Sequence, residues 1–305
     1  VCGNAEVYGN AKVYGDAMVY ENARICDKAK VYGEALVYGN TKVRNDMMVF
    51  GETEKKYKLT EETISVCGRT LYRIEALRDF GDVEKGEKGG FVEKEENLSH
   101  DGKCWIYDDA KVYDNAMVYG NARVYHNAVA YNNAMVCGNA KIYDNAEVFG
   151  KAMVYDNAEV YWYAVIYGNA EVYGNAAICD NARIYGYATV FEDAMVYGNA
   201  MVCDNAIVHD NVIVCGNAEV FGHAAICGDT LITSNSDYIV FKNWWSSGRY
   251  FTWTRSNNMW KVGCFHGTGK ELIEKAYKDS EISGREYERV VKYVESIIAD
   301  DGKDK

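Results

Sequence analysis

The feature that most constrains this chain is a six-residue repeat that runs without a slip from Trp105 to Ile232. Val112-Tyr113-Asp114-Asn115-Ala116-Met117 is followed by Val118-Tyr119-Gly120-Asn121-Ala122-Arg123, and the pattern continues. An aliphatic residue stands at 106, 112, 118, 124 and at every sixth position to 232, with Ala130 the one break in the column. Four positions after each comes a small residue, nearly always alanine, as at Ala110, Ala116, Ala122 and Ala128. Self-similarity at a fixed short period marks a solenoid and outranks the propensity of any single residue.

Side chains alternate across a strand, so in Ala-x-Val-Tyr the Ala and Val face one way and x and Tyr the other. Gly-Asn or Asp-Asn then follows, a pair that tolerates left-handed backbone angles and makes a corner. A short strand plus a corner every six residues closes on itself after three hexads. The expected coil therefore has 18 residues and a triangular section, with Val and Ala inside. Stacked neighbours lie 18 positions apart.

These hexads resemble the hexapeptide-repeat, left-handed β-helix superfamily over residues 106–232. The fold class expected is an all-β solenoid, a left-handed parallel β-helix with three hexads per coil, carrying a small β-rich insert and a C-terminal α+β domain. That fold hosts acyltransferases, carbonic anhydrases and inert scaffolds, so the resemblance speaks to fold more than to function.

Residues 1–51 carry the same repeat at Val1, Val7, Val13, Val19, Ile25, Val31, Val37, Val43 and Val49, which is nine hexads or three coils. Val49 and Ile106 are 57 positions apart, not a multiple of six, so residues 52–104 interrupt the solenoid. Thr63–Val66 and Leu71–Ile74 flank Cys67-Gly68-Arg69-Thr70 and read as a hairpin. Terminal coils expose strand edges, and 52–104 is expected to cap the main solenoid of 105–232. This segment, with Leu71 to Phe80 and Gly89-Gly90-Phe91-Val92-Glu93, is similar to the start of small hexapeptide-repeat proteins of bacteriophages and prophages. In those proteins it precedes the repeats, whereas here three coils stand before it. The chain opens Val1-Cys2-Gly3-Asn4, mid-repeat and without methionine, which fits a fragment or a trimmed chain and leaves a lost leader open.

Residues 233–305 change character. Tyr238–Phe241, Tyr250–Thr254 and Met259–Val262 read as a three-stranded meander. Two helices follow, announced by the capping boxes Thr268/Glu271 and Ser283/Glu286. The second carries Tyr287, Val290, Val291, Val294 and Ile298 on one stripe that should pack on the sheet.

The formal net charge of −12 argues against a nucleic-acid partner, because phosphate binding takes clustered Lys and Arg. No apolar run approaches the roughly 20 residues of a membrane helix, and no signal peptide is visible. Of the ten cysteines, Cys137, Cys179 and Cys203 stack under Tyr155, Tyr197 and Phe221 rather than under another cysteine. Bridges are not expected, and free thiols fit the reducing cytoplasm of a bacterial host. No pair has the close CxxC spacing of a zinc site.

His126, His209 and His223 are the histidines of the main repeat. They fall in three different columns and cannot meet within one chain, so neither a catalytic residue nor a metal site nor a cofactor is assigned. In the C-terminal region Arg249, Phe251, Trp253 and Arg255 alternate onto one strand face, and exposed aromatics beside arginine can stack a base and hold a phosphate. The competing reading makes these rings the core of a small domain. His266 and Lys270 lie at the start of a helix, whose free N–H groups attract phosphate. The candidate ligand-binding set is therefore Arg249, Trp253, Arg255, His266 and Lys270.

The outward positions of one column run Met117/Tyr119, Met135/Cys137, Met153/Tyr155, Glu171/Tyr173, Thr189/Phe191, Ile207/His209 and Ala225/Cys227, a nearly uncharged face. Met117, Tyr119, Met135, Met153, Tyr155, Phe191 and Ile207 are expected to form a self-association surface. The function expected is a non-enzymatic, homo-oligomeric scaffold or binding protein of phage origin. Its other partner would be a nucleotide-type small molecule, which phage proteins of this kind can sequester, or a host protein. The alternative is a hexapeptide-repeat acyltransferase using acyl-CoA.

Overall fold

The computed structural model describes residues 55–301 continuously and, ahead of them, residues 6–9, 11–13, 18–19, 24–26, 28–32, 36–37, 42–43 and 48–50. The chain divides into two compact units, Val1–Tyr143 and Asp144–Lys305.

In the first unit, two- and three-residue strands pair in parallel with partners 18 positions on. Glu6–Val7, Arg24–Ile25 and Lys42–Val43 form one sheet. Lys12–Val13, Lys30–Tyr32 and Met48–Phe50 form a second, and Met18–Val19 and Leu36–Val37 a third. The expected hexad of Val1 lies outside the described residues.

Tyr57–Val66 and Arg69–Ala76 then form an antiparallel hairpin, turning through Cys67 and Gly68 at φ 48° and 78°. Lys88–Val92 runs antiparallel to the second hairpin strand and parallel to Lys111–Val112, so it converts hairpin pairing into solenoid pairing. Gly89 and Gly90 permit this, because a Cβ at either would lie 2.5 Å from the carbonyl oxygen of Ile106 or Ala110. Trp105 plugs the end of the coil. It is fully buried and meets Tyr57 and Phe80 edge-on, at 6.1 and 5.2 Å between centroids.

From Trp105 onward each hexad is a two-residue strand whose second residue is the inward aliphatic one. The Val, Ile and Ala columns are essentially fully buried. At about 0.8 kcal/mol per buried CH₂ this dry column is the main source of stability.

The corners explain why the repeat spells Asp-Asn or Gly-Asn. The first corner residue has positive φ, for example 57° at Asp156, 58° at Asp180 and 70° at Gly174. Asp is one of the few non-glycine residues that enter this region readily. Its carboxylate accepts the N–H of the corner one coil on. Asp108 accepts from His126, Asp180 from Gly198 and Asp204 from Gly222, at 3.0, 2.8 and 3.0 Å. The second corner residue builds an amide ladder, with Asn121 donating to Asn139, Asn157 to Asn175 and Asn199 to Asn217, each at 3.1 Å. Polar corner atoms therefore find partners 18 residues away, as backbone groups must when water cannot reach them freely.

In the second unit the solenoid ends against the C-terminal domain. The sheet has four antiparallel strands, Tyr238–Lys242, Tyr250–Thr254, Met259–Val262 and Phe265–Gly267, one more than the meander expected. One face packs on helices α1 (Gly269–Asp279) and α2 (Glu281–Asp301). Phe251, Trp253 and Trp260 are buried there with Leu272, Tyr287, Val291 and Val294. The Thr268/Glu271 capping box is present. The expected Ser283 box is not, because Ser280 accepts the Ser283 N–H at 3.1 Å and α2 starts earlier.

The other face meets the last coils. In interior coils the outward-strand N–H donates to the next coil, as Ile207 does to the Ala224 carbonyl at 2.8 Å. The final coil has no next coil, and side-chain oxygens replace it. Glu219 N–H donates to Asn235 Oδ1 at 2.7 Å and Phe221 N–H to the Tyr238 hydroxyl at 3.2 Å. Ala225 N–H donates to Thr252 Oγ1 at 3.0 Å and Leu231 N–H to Ser256 Oγ at 2.9 Å. An otherwise open sheet edge is closed by four unlike side chains.

Among the described residues no helix is long and apolar enough to cross a membrane, and no cysteine is disulfide-bonded.

Candidate functional site

The structure separates the five residues expected to bind a ligand. Trp253 is fully buried between sheet and helices, and its Nε1 donates to Asn258 Oδ1 at 2.9 Å. Its ring is therefore core and not a stacking platform, which corrects that expectation. The reason is that both sheet faces are covered, one by helices and one by the solenoid end. Arg255 lies 5.8 Å from the Trp253 centroid, and its Nε donates to the Ser236 carbonyl at 3.1 Å. Arg249 lines a hollow of about 260 Å³ with Lys275, Asp279, Cys264 and Tyr287. Lys270 borders a different hollow of about 210 Å³ beside Trp260, Val294 and Glu295. His266 stands on the edge strand against Gly228, where a Cβ would come within 2.7 Å of its ring.

The histidines of the repeat also differ from one another. His126 holds a positive-φ corner at 54°. His223 stacks on Tyr250 at 4.1 Å. His209 continues a ring ladder, Tyr155–Tyr173–Phe191–His209, with centroid spacings of 4.7, 4.8 and 4.9 Å. Its Nδ1 lies 3.5 Å from Glu192 Oε2 and 3.4 Å from Asp210 Oδ1. Cys227, buried one coil further on, completes a group whose donor atoms all lie within 4.8 Å of one another with His209 and Asp210.

Two of these groups have displaced acidities. Burial raises the Asp210 carboxyl, but the Gly228 N–H, Glu192 and His209 outweigh it and hold Asp210 below the usual carboxylate range. Burial pushes the Cys227 thiol up to about 11, with Lys261 acting in the opposite sense and Asp210 and Glu192 adding to it. Hexad by hexad, His209 and Cys227 are separate outward substitutions. The signal that joins them was present in the register, since 191, 209 and 227 share one column and 192 and 210 the adjoining corner.

The outward residues Met117, Tyr119 and Met135 of the first unit, and Met153, Tyr155 and Phe191 of the second, are half-buried, while Ile207 is 40% exposed.

A family profile described as YdcK Beta solenoid repeat matches residues 118–132 and 194–210. The Uncharacterized acetyltransferase YdcK of Escherichia coli (strain K12) is 37% identical over 62 residues, which is 18% of this chain and 19% of that protein. Both matches, together with parallel strands stacked at intervals of 18 residues, support the hexapeptide-repeat, left-handed β-helix superfamily. The aligned stretch spans about a fifth of the relative's length.

Proposed function

We propose that this chain is a non-catalytic, self-associating β-solenoid that binds through a lateral face and not through a pocket. The supporting observation is the outward column of the second unit. Tyr155, Tyr173 and Phe191 stack with interplanar angles of 8°, making a flat aromatic wall. Beside it stand Met153, Thr189, Ile207 and Ala225, with Glu171 as the one acidic strand residue. Five coils of this column are roughly 20 Å tall at about 4.8 Å per coil. Flat apolar surface of that extent, carried on a rigid backbone, suits a second copy of the same chain.

The test is sedimentation velocity and native mass spectrometry of the full chain against the double variant Phe191→Asp/Ile207→Glu. A wild-type multimer that becomes monomeric with unchanged far-ultraviolet circular dichroism supports the reading. A monomeric wild type at micromolar concentration refutes it.

A second reading, acyl transfer from acyl-CoA, draws on the relative's printed name and on His209. A histidine whose Nδ1 faces carboxylates is oriented for general-base work at Nε2. Turnover of acetyl-CoA that is abolished by His209→Gln would support this reading over the first.

A further inference from the structure

Glu192, His209, Asp210 and Cys227 come together from three successive coils at one corner of the solenoid. We propose that His209, Asp210 and Cys227 bind a divalent transition-metal ion of the zinc class, with Glu192 facing the imidazole from the preceding coil. The inference goes beyond the scaffold reading and does not depend on it.

Hydrogen bonding accounts poorly for the cluster. The imidazole Nδ1 carries at most one proton, yet two carboxylate oxygens face it, at 3.4 Å for Asp210 and 3.5 Å for Glu192. Both separations exceed the ordinary 2.7–3.2 Å range of N–H···O bonds. They do match the edge of a metal tetrahedron. Bond lengths of about 2.0–2.2 Å to N and O give edges of roughly 3.3–3.6 Å.

The donor set has the right chemistry. Imidazole, thiolate and carboxylate are the three ligand types of protein zinc sites. The Cys227 sulfur lies within 4.8 Å of the chosen donor atoms of His209 and Asp210. Closing that gap to a bonding edge takes about 1 Å or less, within reach of a side-chain adjustment.

The ligands are also held from behind, as metal ligands usually are. The second oxygen of Asp210 accepts the Gly228 N–H at 2.6 Å. Glu192 Oε2 accepts the Asp210 N–H at 2.8 Å. Phe191 stacks on the imidazole with an interplanar angle of 13° and fixes its plane. Glu192 and Asp210 reach solvent, with 50% and 40% side-chain exposure, while Cys227 is 3% exposed, so an ion can enter from the carboxylate side and find sulfur behind. Metal binding must displace the Cys227 proton, which burial holds tightly.

The test uses the full chain, stripped with chelator and titrated with Zn²⁺ and Co²⁺. Native mass spectrometry reads stoichiometry. The Co²⁺ spectrum reads tetrahedral geometry from its visible bands and thiolate ligation from a near-ultraviolet charge-transfer band. One ion per chain with both signatures is expected. Cys227→Ser should abolish the charge-transfer band, and His209→Ala should weaken binding at least about 100-fold, beyond what loss of an outer-shell partner costs. Cys203→Ser, in another column, should change neither. Circular dichroism of each variant checks that the solenoid is intact. The proposal is overturned if stoichiometric binding is absent at neutral pH, or if Cys227→Ser leaves the charge-transfer band in place. Acetyl-CoA turnover that survives Cys227→Ser while the ion is lost would assign His209 to acyl transfer independently of the metal.

Discussion

Replacing Thr252 with valine isolates the mechanism that closes the end of the solenoid. Thr252 is fully buried, and its Oγ1 accepts the Ala225 N–H at 3.0 Å. Valine has nearly the same shape, so packing is conserved and the acceptor alone is removed. Leaving a buried N–H unpaired costs roughly 1–3 kcal/mol. At about 1.4 kcal/mol per factor of ten, local opening at that edge should become about 5- to 150-fold more frequent. Native-state hydrogen exchange at the Ala225 amide reads this directly. Amides deeper in the stack, such as Glu171, which donates to Ala188 at 2.9 Å, should exchange as before. Thr252→Ser keeps the acceptor and drops a methyl group, so it should leave Ala225 protected. Unchanged Ala225 exchange in Thr252→Val would refute the reasoning. So would a Thr252→Ser effect as large as that of Thr252→Val, since packing and not the hydrogen bond would then hold the edge.

The corner chemistry predicts an inversion of the usual glycine rule. Gly174 sits at φ +70°, and a Cβ there would lie 2.6 Å from Glu192 N. Gly174→Ala should therefore cost more than the roughly 1–2 kcal/mol of left-handed strain alone, while Gly174→Asp should recover most of the loss by accepting the Glu192 N–H, as read by thermal denaturation. Gly222→Ala, at φ +69° with open space around it, should cost the strain term only. Asp237 yields a pH prediction. Burial raises its carboxyl, but the N–H and hydroxyl of Thr233, the Ser234 N–H and Arg255 outweigh that and hold it below the usual carboxylate range. A depressed folded value means that its stabilisation is complete above the ordinary carboxylate range and is lost as pH falls through that range towards the folded value. Asp237→Asn should lower stability at neutral pH and flatten the acid limb of a stability–pH curve, and an unchanged limb would count against the assignment.

The repeat was legible because every hexad states the same three physical facts: an inward aliphatic residue, a small residue beside it and a corner that accepts positive φ. The hairpin was legible from Cys67-Gly68. Less legible was the use of the C-terminal sheet. Phe251 and Trp253 alternate with Thr252 and Thr254, and sequence alone showed one apolar and one polar face. A polar face reads as solvent-exposed until its oxygens are seen to replace the carbonyls of a missing coil. Trp253 reads as a surface residue for a separate reason: Arg249 and Arg255 alternate onto its strand face, whereas its ring is buried. Ser283 reads as a helix cap in sequence, but Ser280, three positions earlier, offers the same hydroxyl and is the single residue between the helices. The His209 cluster was missed for a different reason. Its members come from successive coils, Glu192 and Asp210 and again His209 and Cys227 being 18 residues apart, and reading each hexad for its departure from consensus separates residues that the coil brings together.

In residues 144–305 the backbone has little left to offer a partner. Strand groups bind the next coil, the corner N–H groups that follow an acidic corner bind its carboxylate one coil back, and the final edge is closed by Asn235, Tyr238, Thr252 and Ser256. Whatever this unit binds along the solenoid must therefore be recognised by side chains on its lateral columns. In such a column a site is written by substitutions at multiples of 18, since only those positions stack. The run 173, 191, 209 and 227 reads Tyr, Phe, His and Cys, passing from an apolar wall to metal-type donors within four coils. The two proposals then separate at one position. Phe191→Leu keeps apolar bulk on the wall but removes the ring that stacks on His209 at 4.9 Å. It should preserve self-association while weakening metal binding roughly 10- to 100-fold, the usual cost of losing an outer-shell support. If it instead dissolved the multimer and left the metal untouched, the ladder would be an aromatic interface alone and the His209 corner a substitution without a ligand.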